Sequence, residues 1–176
     1  LYIHYSLRVP IAFLVDYTNT AIDKEGVPIP FKPFFTPKNL PEIYLGLKIE
    51  ADDHFFGKRL KNKPTTLALK LLDYLSKEII SDTSLIKRID VSKAHASSYG
   101  QREIIVILEE KKENIKIKHP FFYHYLRILR LSPECYEQEL KNYVRLSKYL
   151  MQKENLASLI VDLRIPNLAF IKEFSK

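Results

Sequence analysis

Leu1, Ile3, Tyr5, Leu7 and Val9 alternate with Tyr2, His4, Ser6 and Arg8, which is the two-residue period of a half-buried strand. Pro10 interrupts it, and an apolar run over 11–15 resumes as a second strand. Asp23-Lys24-Glu25-Gly26 lies between Ala21-Ile22 and Val27-Pro28-Ile29, the composition of a hairpin turn with glycine in its last place. Pro28, Pro30, Pro33, Pro37 and Pro41 follow closely; that spacing excludes a helix and a central strand and predicts an extended surface loop. A short strand is expected within 44–49 and a polar connection over 52–62.

The first helical periodicity covers 64–80. Leu67, Ala68, Leu71, Leu72, Leu75 and Ile79 recur on one face, with Lys70, Asp73 and Lys77 on the other, and Pro64 or Thr65 starts the segment. Ser81-Asp82-Thr83 breaks it, with a short helical turn expected to persist to Ile86. Strands are expected over 87–92 and 104–108, with a turn at Ser97-Ser98-Tyr99-Gly100 between them. Residues 109–114 read as a charged turn, Ile115-Lys116-Ile117-Lys118 alternates, His119-Pro120 stops that segment, and 123–131 supply another strand. A second helix is expected from Ser132 as N-cap, with Pro133 in the first helical position and Glu134 behind it. Leu140, Tyr143, Val144, Ser147, Leu150 and Met151 line one of its faces up to Asn155.

The last stretch, SLIVDLRIPNLAFIKEFSK over 158–176, organises the rest. Leu159-Ile160-Val161 has no polar break and reads as a buried central strand. Leu168-Ala169-Phe170-Ile171 is bounded by Pro166-Asn167 and by Lys172, Glu173 and Lys176, which is how a terminal edge strand is guarded against random pairing. The order strands, helix, strands, helix, strands predicts one α+β domain over 1–176. Its sheet is mostly antiparallel, its helices are separated by antiparallel meanders, and both helices pack on one face.

Composition narrows the chemistry. The 176 residues are 46% hydrophobic and 28% charged, enough to bury a core without metal or disulfide. Lys and Arg total 28 against 21 acids, a net +7, yet they are dispersed; the densest cluster is Lys58-Arg59-Leu60-Lys61-Asn62-Lys63. A dispersed charge argues against nucleic acid as the partner. Cys135 is the single cysteine, which excludes an intramolecular disulfide and a multi-cysteine metal site. His4, His54, His95, His119 and His124 lack zinc spacing, and Asp52-Asp53-His54 reads as a solvated turn. Four glycines build no phosphate cradle, and Cys135 has no neighbouring base. Glu109-Glu110 beside Lys111-Lys112 reads as a charged hairpin tip, and Phe31, Phe34, Phe35, Phe55 and Phe56 as packing for the proline-rich loop or as an interaction patch. No catalytic residue, metal ligand, cofactor or small-molecule substrate is assigned. No run of about 18 apolar residues occurs, and the chain starts in mid-strand pattern without Met, so it is read as an excised fragment.

Four stretches together resemble the extracytoplasmic β-domain of the bacterial division proteins FtsQ/DivIB. Arg8-Val9-Pro10-Ile11-Ala12-Phe13 with Ile22-Asp23-Lys24-Glu25-Gly26-Val27 resembles its "R-x-P-[IV]-A … [IV]-D-x-x-G" opening. Leu40-Pro41-Glu42-Ile43-Tyr44-Leu45-Gly46 is similar to the "L-P-x-[IL]-x-G" that follows there. Glu139-Leu140-Lys141-Asn142-Tyr143 and Val161-Asp162-Leu163-Arg164-Ile165-Pro166-Asn167 resemble its Lys-Leu helix and "[IV]-D-L-R-[YF]-P-[ND]" strand. The matches keep family order over almost the whole chain. The family's "V-x-L-G" turn is replaced by Leu129-Arg130-Leu131-Ser132, and His119-Pro120-Phe121-Phe122 has no counterpart.

The resemblance implies a non-enzymatic divisome scaffold, anchored by a single upstream helix in the bacterial inner membrane with this domain on the extracytoplasmic (periplasmic) side. The anchor and most of a preceding POTRA-like domain would lie before Leu1. Its implied partners are FtsB/DivIC-like and FtsL-like proteins, one of which adds a strand to the C-terminal edge at Asn167, Leu168, Ala169, Phe170, Ile171 and Lys172. Arg164 is implied as a partner to an acidic side chain or as an internal salt bridge to Asp162, and Arg102 is a weaker basic candidate. The alternatives are a basic nucleic-acid-binding domain, another envelope-assembly scaffold, or a hydrolase whose acid–base pair converges only in three dimensions.

Overall fold

The computed structural model describes residues 2, 7–32, 37, 39–47, 55–80, 83–113, 122–152 and 157–174. In chain order these form β1 (Pro10–Leu14), β2 (Thr20–Asp23), β3 (Pro28–Pro30), β4 (Glu42–Tyr44), α1 (Lys63–Glu78), β5 (Ser84–Asp90), β6 (Ile104–Glu113), β7 (Phe122–Leu131), α2 (Tyr136–Gln152), β8 (Leu159–Asp162) and β9 (Phe170–Glu173). The nine strands make one sheet in the order β3-β2-β1-β4-β5-β6-β7-β8-β9. Five neighbouring pairs are antiparallel, and β1–β4, β4–β5 and β7–β8 are parallel. The fold is α+β, with a mostly antiparallel sheet and two helices.

The expected meanders between the helices give way to crossovers. α1 joins β4 to the parallel β5, and α2 joins β7 to the parallel β8. A parallel neighbour is reached only by a long return, and a helix is the usual one. Both crossovers step in the same direction between strands of the same orientation, so the right-handed rule sets both helices on one face. The Tyr74 hydroxyl of α1 accordingly lies 3.5 Å from the Glu137 carbonyl of α2. One core joins Ala68, Leu71, Leu72 and Leu75 of α1, Leu140 and Tyr143 of α2, and the alternate positions Ile104, Val106, Leu108, Leu129, Leu131, Leu159 and Val161.

Local chemistry sets the boundaries. In the β2–β3 hairpin, Gly26 at φ +83° donates to the Asp23 carbonyl at 3.0 Å, and the Asp23 carboxylate accepts from the amides of Glu25 and Val27 at 2.9 and 2.8 Å. Pro28 and Pro30 belong to β3 and not to a loop; the outermost strand is where a ladder tolerates proline. Asn62 caps α1, its Oδ1 accepting from the Thr65 amide at 2.8 Å, so the helix starts before Pro64.

Other boundaries also differ from the sequence reading: the short strand expected within 44–49 is β4 at Glu42–Tyr44, and the strand expected over 87–92 is β5 at Ser84–Asp90. No helical turn reaches Ile86: that residue sits in β5 opposite Leu108, and a register shift between Ile86 and Arg88 lets Ile89 also face inward. β6 continues to Glu113, with residues 109–113 each paired in register with the backbone of β7. Ser132 does not cap α2. Its amide and hydroxyl both donate to the Glu139 carboxylate, the amide at 2.8 Å, and a turn through Cys135 precedes the helix. β1 starts at Pro10, and Tyr2, Leu7 and Val9 are exposed; residues 1 and 3–6 of the first alternating strand lie outside the described residues, as do the 115–118 strand, His4, His54, His119, Phe34 and Phe35.

Gly46 closes β4 at φ +72°, where an added Cβ would stand 2.6 Å from the Ser92 Cβ. Gly46→Ala is therefore expected to lower the unfolding free energy by about 1–3 kcal/mol, measured by urea titration; an unchanged midpoint would show that this approach relaxes freely.

Candidate functional site

The C-terminal hairpin is built by its sequence. Pro166 and Asn167 take the two central places of a turn in which the Leu168 amide donates to the Ile165 carbonyl at 3.1 Å, and Asn167 adopts φ +61°. Proline second and asparagine at positive φ third is the signature of a type II turn. Asn167, Leu168 and Ala169 thus lead into β9, and the strand itself is Phe170–Glu173. All four of its residues are exposed, Phe170 at 57% and Ile171 at 43%.

β9 is the outermost strand, and its backbone has a definite polarity. It pairs with β8 with Asp162 opposite Phe170, Val161 opposite Ile171, Ile160 opposite Lys172 and Leu159 opposite Glu173. The Phe174 amide donates to the Ser158 carbonyl at 3.1 Å. Antiparallel ladders alternate bonded and non-bonded pairs, so Phe170 and Lys172 turn their main-chain groups toward β8 while Ile171 and Glu173 turn theirs outward. Val161 and Leu159 are buried on the helix side; Ile171 and Glu173 share that side, and Phe170 and Lys172 lie on the other.

The opposite edge of the sheet is closed by the same logic. Across β2–β3 the Asp23 amide donates to the Val27 carbonyl and the Phe31 amide to the Asn19 carbonyl, at 3.1 and 2.7 Å, and with the register of the pair this leaves Pro28 and Pro30 in the outward-facing places. Neither has an N–H to offer. The Pro28 carbonyl is taken by the Gly57 amide at 3.2 Å.

Charged side chains secure the base of the hairpin. Arg164 is bidentate to Asp162, at 2.9 and 2.7 Å, and lies 3.7 Å from Glu103. Arg130 reaches Glu103 at 2.7 Å and Asp162 at 3.2 Å. Burial works to raise both carboxyls, but hydrogen bonds from Arg164 and Arg130, with Lys93 beside Glu103, outweigh it and hold Asp162 and Glu103 below their ordinary values. Arg164 is thus engaged within the domain. Arg102 lies 3.5 Å from Glu134, donates to the Ala96 carbonyl at 2.8 Å and stacks on Tyr99. Cys135 is exposed in the turn before α2.

Under this surface lies an ionic cluster that the sequence reading missed. Glu110 is buried inside β6 and is no hairpin tip. It accepts from the Tyr143 hydroxyl at 2.8 Å and lies 3.3 Å from Arg127 Nε. The Arg127 guanidinium covers the Tyr125 ring at 4.3 Å and donates to the Ala157 carbonyl just before β8. Burial and the Glu110 charge push the Tyr143 phenol well above its ordinary range. The signal was available: Glu110 follows Ile104, Val106 and Leu108 at the two-residue period. Phe31 packs edge-on against Phe13 and Phe55 against Tyr17, at 5.5 and 4.4 Å, so these aromatics serve packing.

Among the described residues no group of three His, Cys, Asp or Glu is placed to hold a metal ion, and no helix is long and apolar enough to cross a membrane. No protein-family model matches the chain, and no curated protein matches it.

Arg127→Met strands a buried carboxylate and is expected to cost about 3–5 kcal/mol, with Glu110→Leu in the same chain recovering part of it; urea titration of both variants checks this. The Asp162 and Glu103 carboxyls have lowered folded values, so their stabilisation is complete above the ordinary 3.8 and 4.5 and is lost as pH falls through the folded values. Arg130→Gln should therefore be clearly less stable than the parent at about pH 6, with the gap closing toward about pH 2. A gap independent of pH would remove these carboxylates as its cause.

Proposed function

We propose that the domain is a non-enzymatic scaffold that captures a partner chain by strand addition along β9. The contrast between the two sheet edges carries this reading. One edge presents prolines where donors would stand; the other presents the outward amides and carbonyls of Ile171 and Glu173. Open edges are a liability that sheets normally block, and an edge left open beside a blocked one fits β-augmentation. Lys172 and Glu173 put charge on the strand, which discourages pairing with unrelated chains.

The resemblance to FtsQ/DivIB supplies the setting. In this reading the domain belongs to a single-pass protein of the bacterial inner membrane and stands on its extracytoplasmic side. There it binds FtsB/DivIC-like and FtsL-like proteins during cell division. The four resembling stretches have structural work that fits one shared design. Arg8 pairs with Asp23 and, at 3.0 Å, with Glu25, joining the two halves of the first motif. Asp162-Leu163-Arg164 and Pro166-Asn167 form the ion pair and turn that launch β9. Arg164 contributes to binding by holding that turn.

The hydrogen-bond parity gives the test. Ile171→Pro deletes an outward amide only, whereas Lys172→Pro deletes one that bonds β8. Titrated with the extracytoplasmic segment of the same organism's FtsB-like protein, Ile171→Pro is expected to weaken binding by roughly tenfold or more with the thermal midpoint kept. Lys172→Pro should lower the midpoint itself. Full affinity in Ile171→Pro would place the interface elsewhere.

A further inference from the structure

The basic cluster singled out in the sequence is not absorbed by the edge strand. It lines a cleft of about 620 Å³ into which Arg59, Lys61, Lys63 and Lys70 project. All four are exposed, and the ion pairs among the described residues engage none of them. By contrast, Arg8, Lys77, Lys87, Arg88, Arg130 and Arg164 each face a carboxylate within 3.0 Å, and other cations outside those pairs, such as Lys141 and Lys148, do not line this cleft. Four uncompensated cations around one cleft repel one another, and an anion between them removes that cost.

The segment is held in place as well as charged. The Leu60 amide donates to the Gly26 carbonyl at 2.9 Å, and Asn62 is fixed as the cap of α1. No acidic residue occupies the first turn of α1. Tyr136, the first residue of α2, closes the far side, and Leu60 and Leu67 add an apolar lining. The Tyr136 hydroxyl donates to the Glu137 carboxylate over a long 3.4 Å, a weak bond that it can exchange for one to an anion in the cleft. Because both crossovers leave parallel strands at their carboxyl ends, the two helices begin beside the same cleft; Glu137 and Glu139 occupy the first turn of α2, so the positive end open to a phosphate is that of α1.

We propose that this cleft binds a multiply charged phosphate group of headgroup size, carried by a soluble diphosphate or by an anionic lipid. Lys and Arg neutralise the charge, Tyr136 donates to an oxygen, and Leu60 with Leu67 accommodate the first apolar atoms attached to it. The site is separate from β9 and does not depend on the partner.

The test titrates the whole chain with inorganic pyrophosphate by calorimetry and with phosphatidic acid–phosphatidylcholine vesicles, whose phosphomonoester headgroup can carry two charges, by co-sedimentation. Lys63→Ala/Lys70→Ala should weaken binding to whichever probe binds by roughly tenfold or more. Arg59→Ala/Lys61→Ala should do the same by a second route. Lys141→Ala/Lys148→Ala, with the same net charge but changed on exposed positions of α2, should retain binding. Binding to pyrophosphate identifies the soluble source, and binding to vesicles alone identifies the lipid headgroup. Binding of neither probe, or equal loss in all three double variants, overturns the site and leaves only diffuse surface charge.

Discussion

The buried guanidinium of Arg127 is the constraint on which the C-terminal half of the sheet depends. It stands on the core side of β7, opposes Glu110 on β6, covers Tyr125 and donates to the carbonyl of Ala157. A charge taken out of water at this depth is tolerated only where it is paired and hydrogen-bonded on several sides. Each partner belongs to a different part of the chain, so the charge is satisfied only when β6, β7 and the approach to β8 are in place, and Tyr143 of α2 in turn holds its counterion Glu110. The ion pair contributes register more than net stability. It fixes where β8 begins, and β8 fixes β9.

A strand that recruits a partner must be held firmly by its inner neighbour while its outer side stays open. β9 has only four residues, too few to persist alone. Its position comes from the type II turn at Pro166-Asn167, from the Arg164–Asp162 clamp below that turn, and from the seating of β8. This separates recognition from folding. Outward groups at Ile171 and Glu173 are free to bond a second chain without loosening any bond to β8. At the other edge the two prolines of β3 remove that possibility by lacking the donor.

Much of this was legible in the sequence because it is local. Asp23 to Gly26, the Leu67–Leu75 helical face, the unbroken Leu159-Ile160-Val161 run and the charges behind Phe170 each carry their meaning within a few residues. The readings that failed depend on distant partners. Glu109 to Glu113 look like a charged tip until β7 is laid beside them, after which Glu110 falls on the core side and Arg127 accounts for it. Ser132 looks like a cap until Glu139 claims its amide and hydroxyl. Parallel pairing is also invisible locally, since a helix between two strands fits a crossover and a meander equally well. The edge itself was readable, but its hydrogen-bond parity was not, because parity is set by the register with β8.

Charge is partitioned over the surface in a way that net +7 conceals. Around the base of the C-terminal hairpin, Arg130, Arg164 and Lys93 face Glu103 and Asp162, three against two, and the adjoining strand ends in Lys172 and Glu173. The proposed strand addition would take place on a nearly neutral surface, where main-chain hydrogen bonds would set the affinity and ionic strength would matter little. Four cations outside the ion pairs, Arg59, Lys61, Lys63 and Lys70, line the cleft at the start of α1, where attraction to an anion is long-ranged and falls with salt. The two surfaces therefore answer to different physical variables. A scaffold built this way can hold a protein partner at one edge while its contact with anions changes independently.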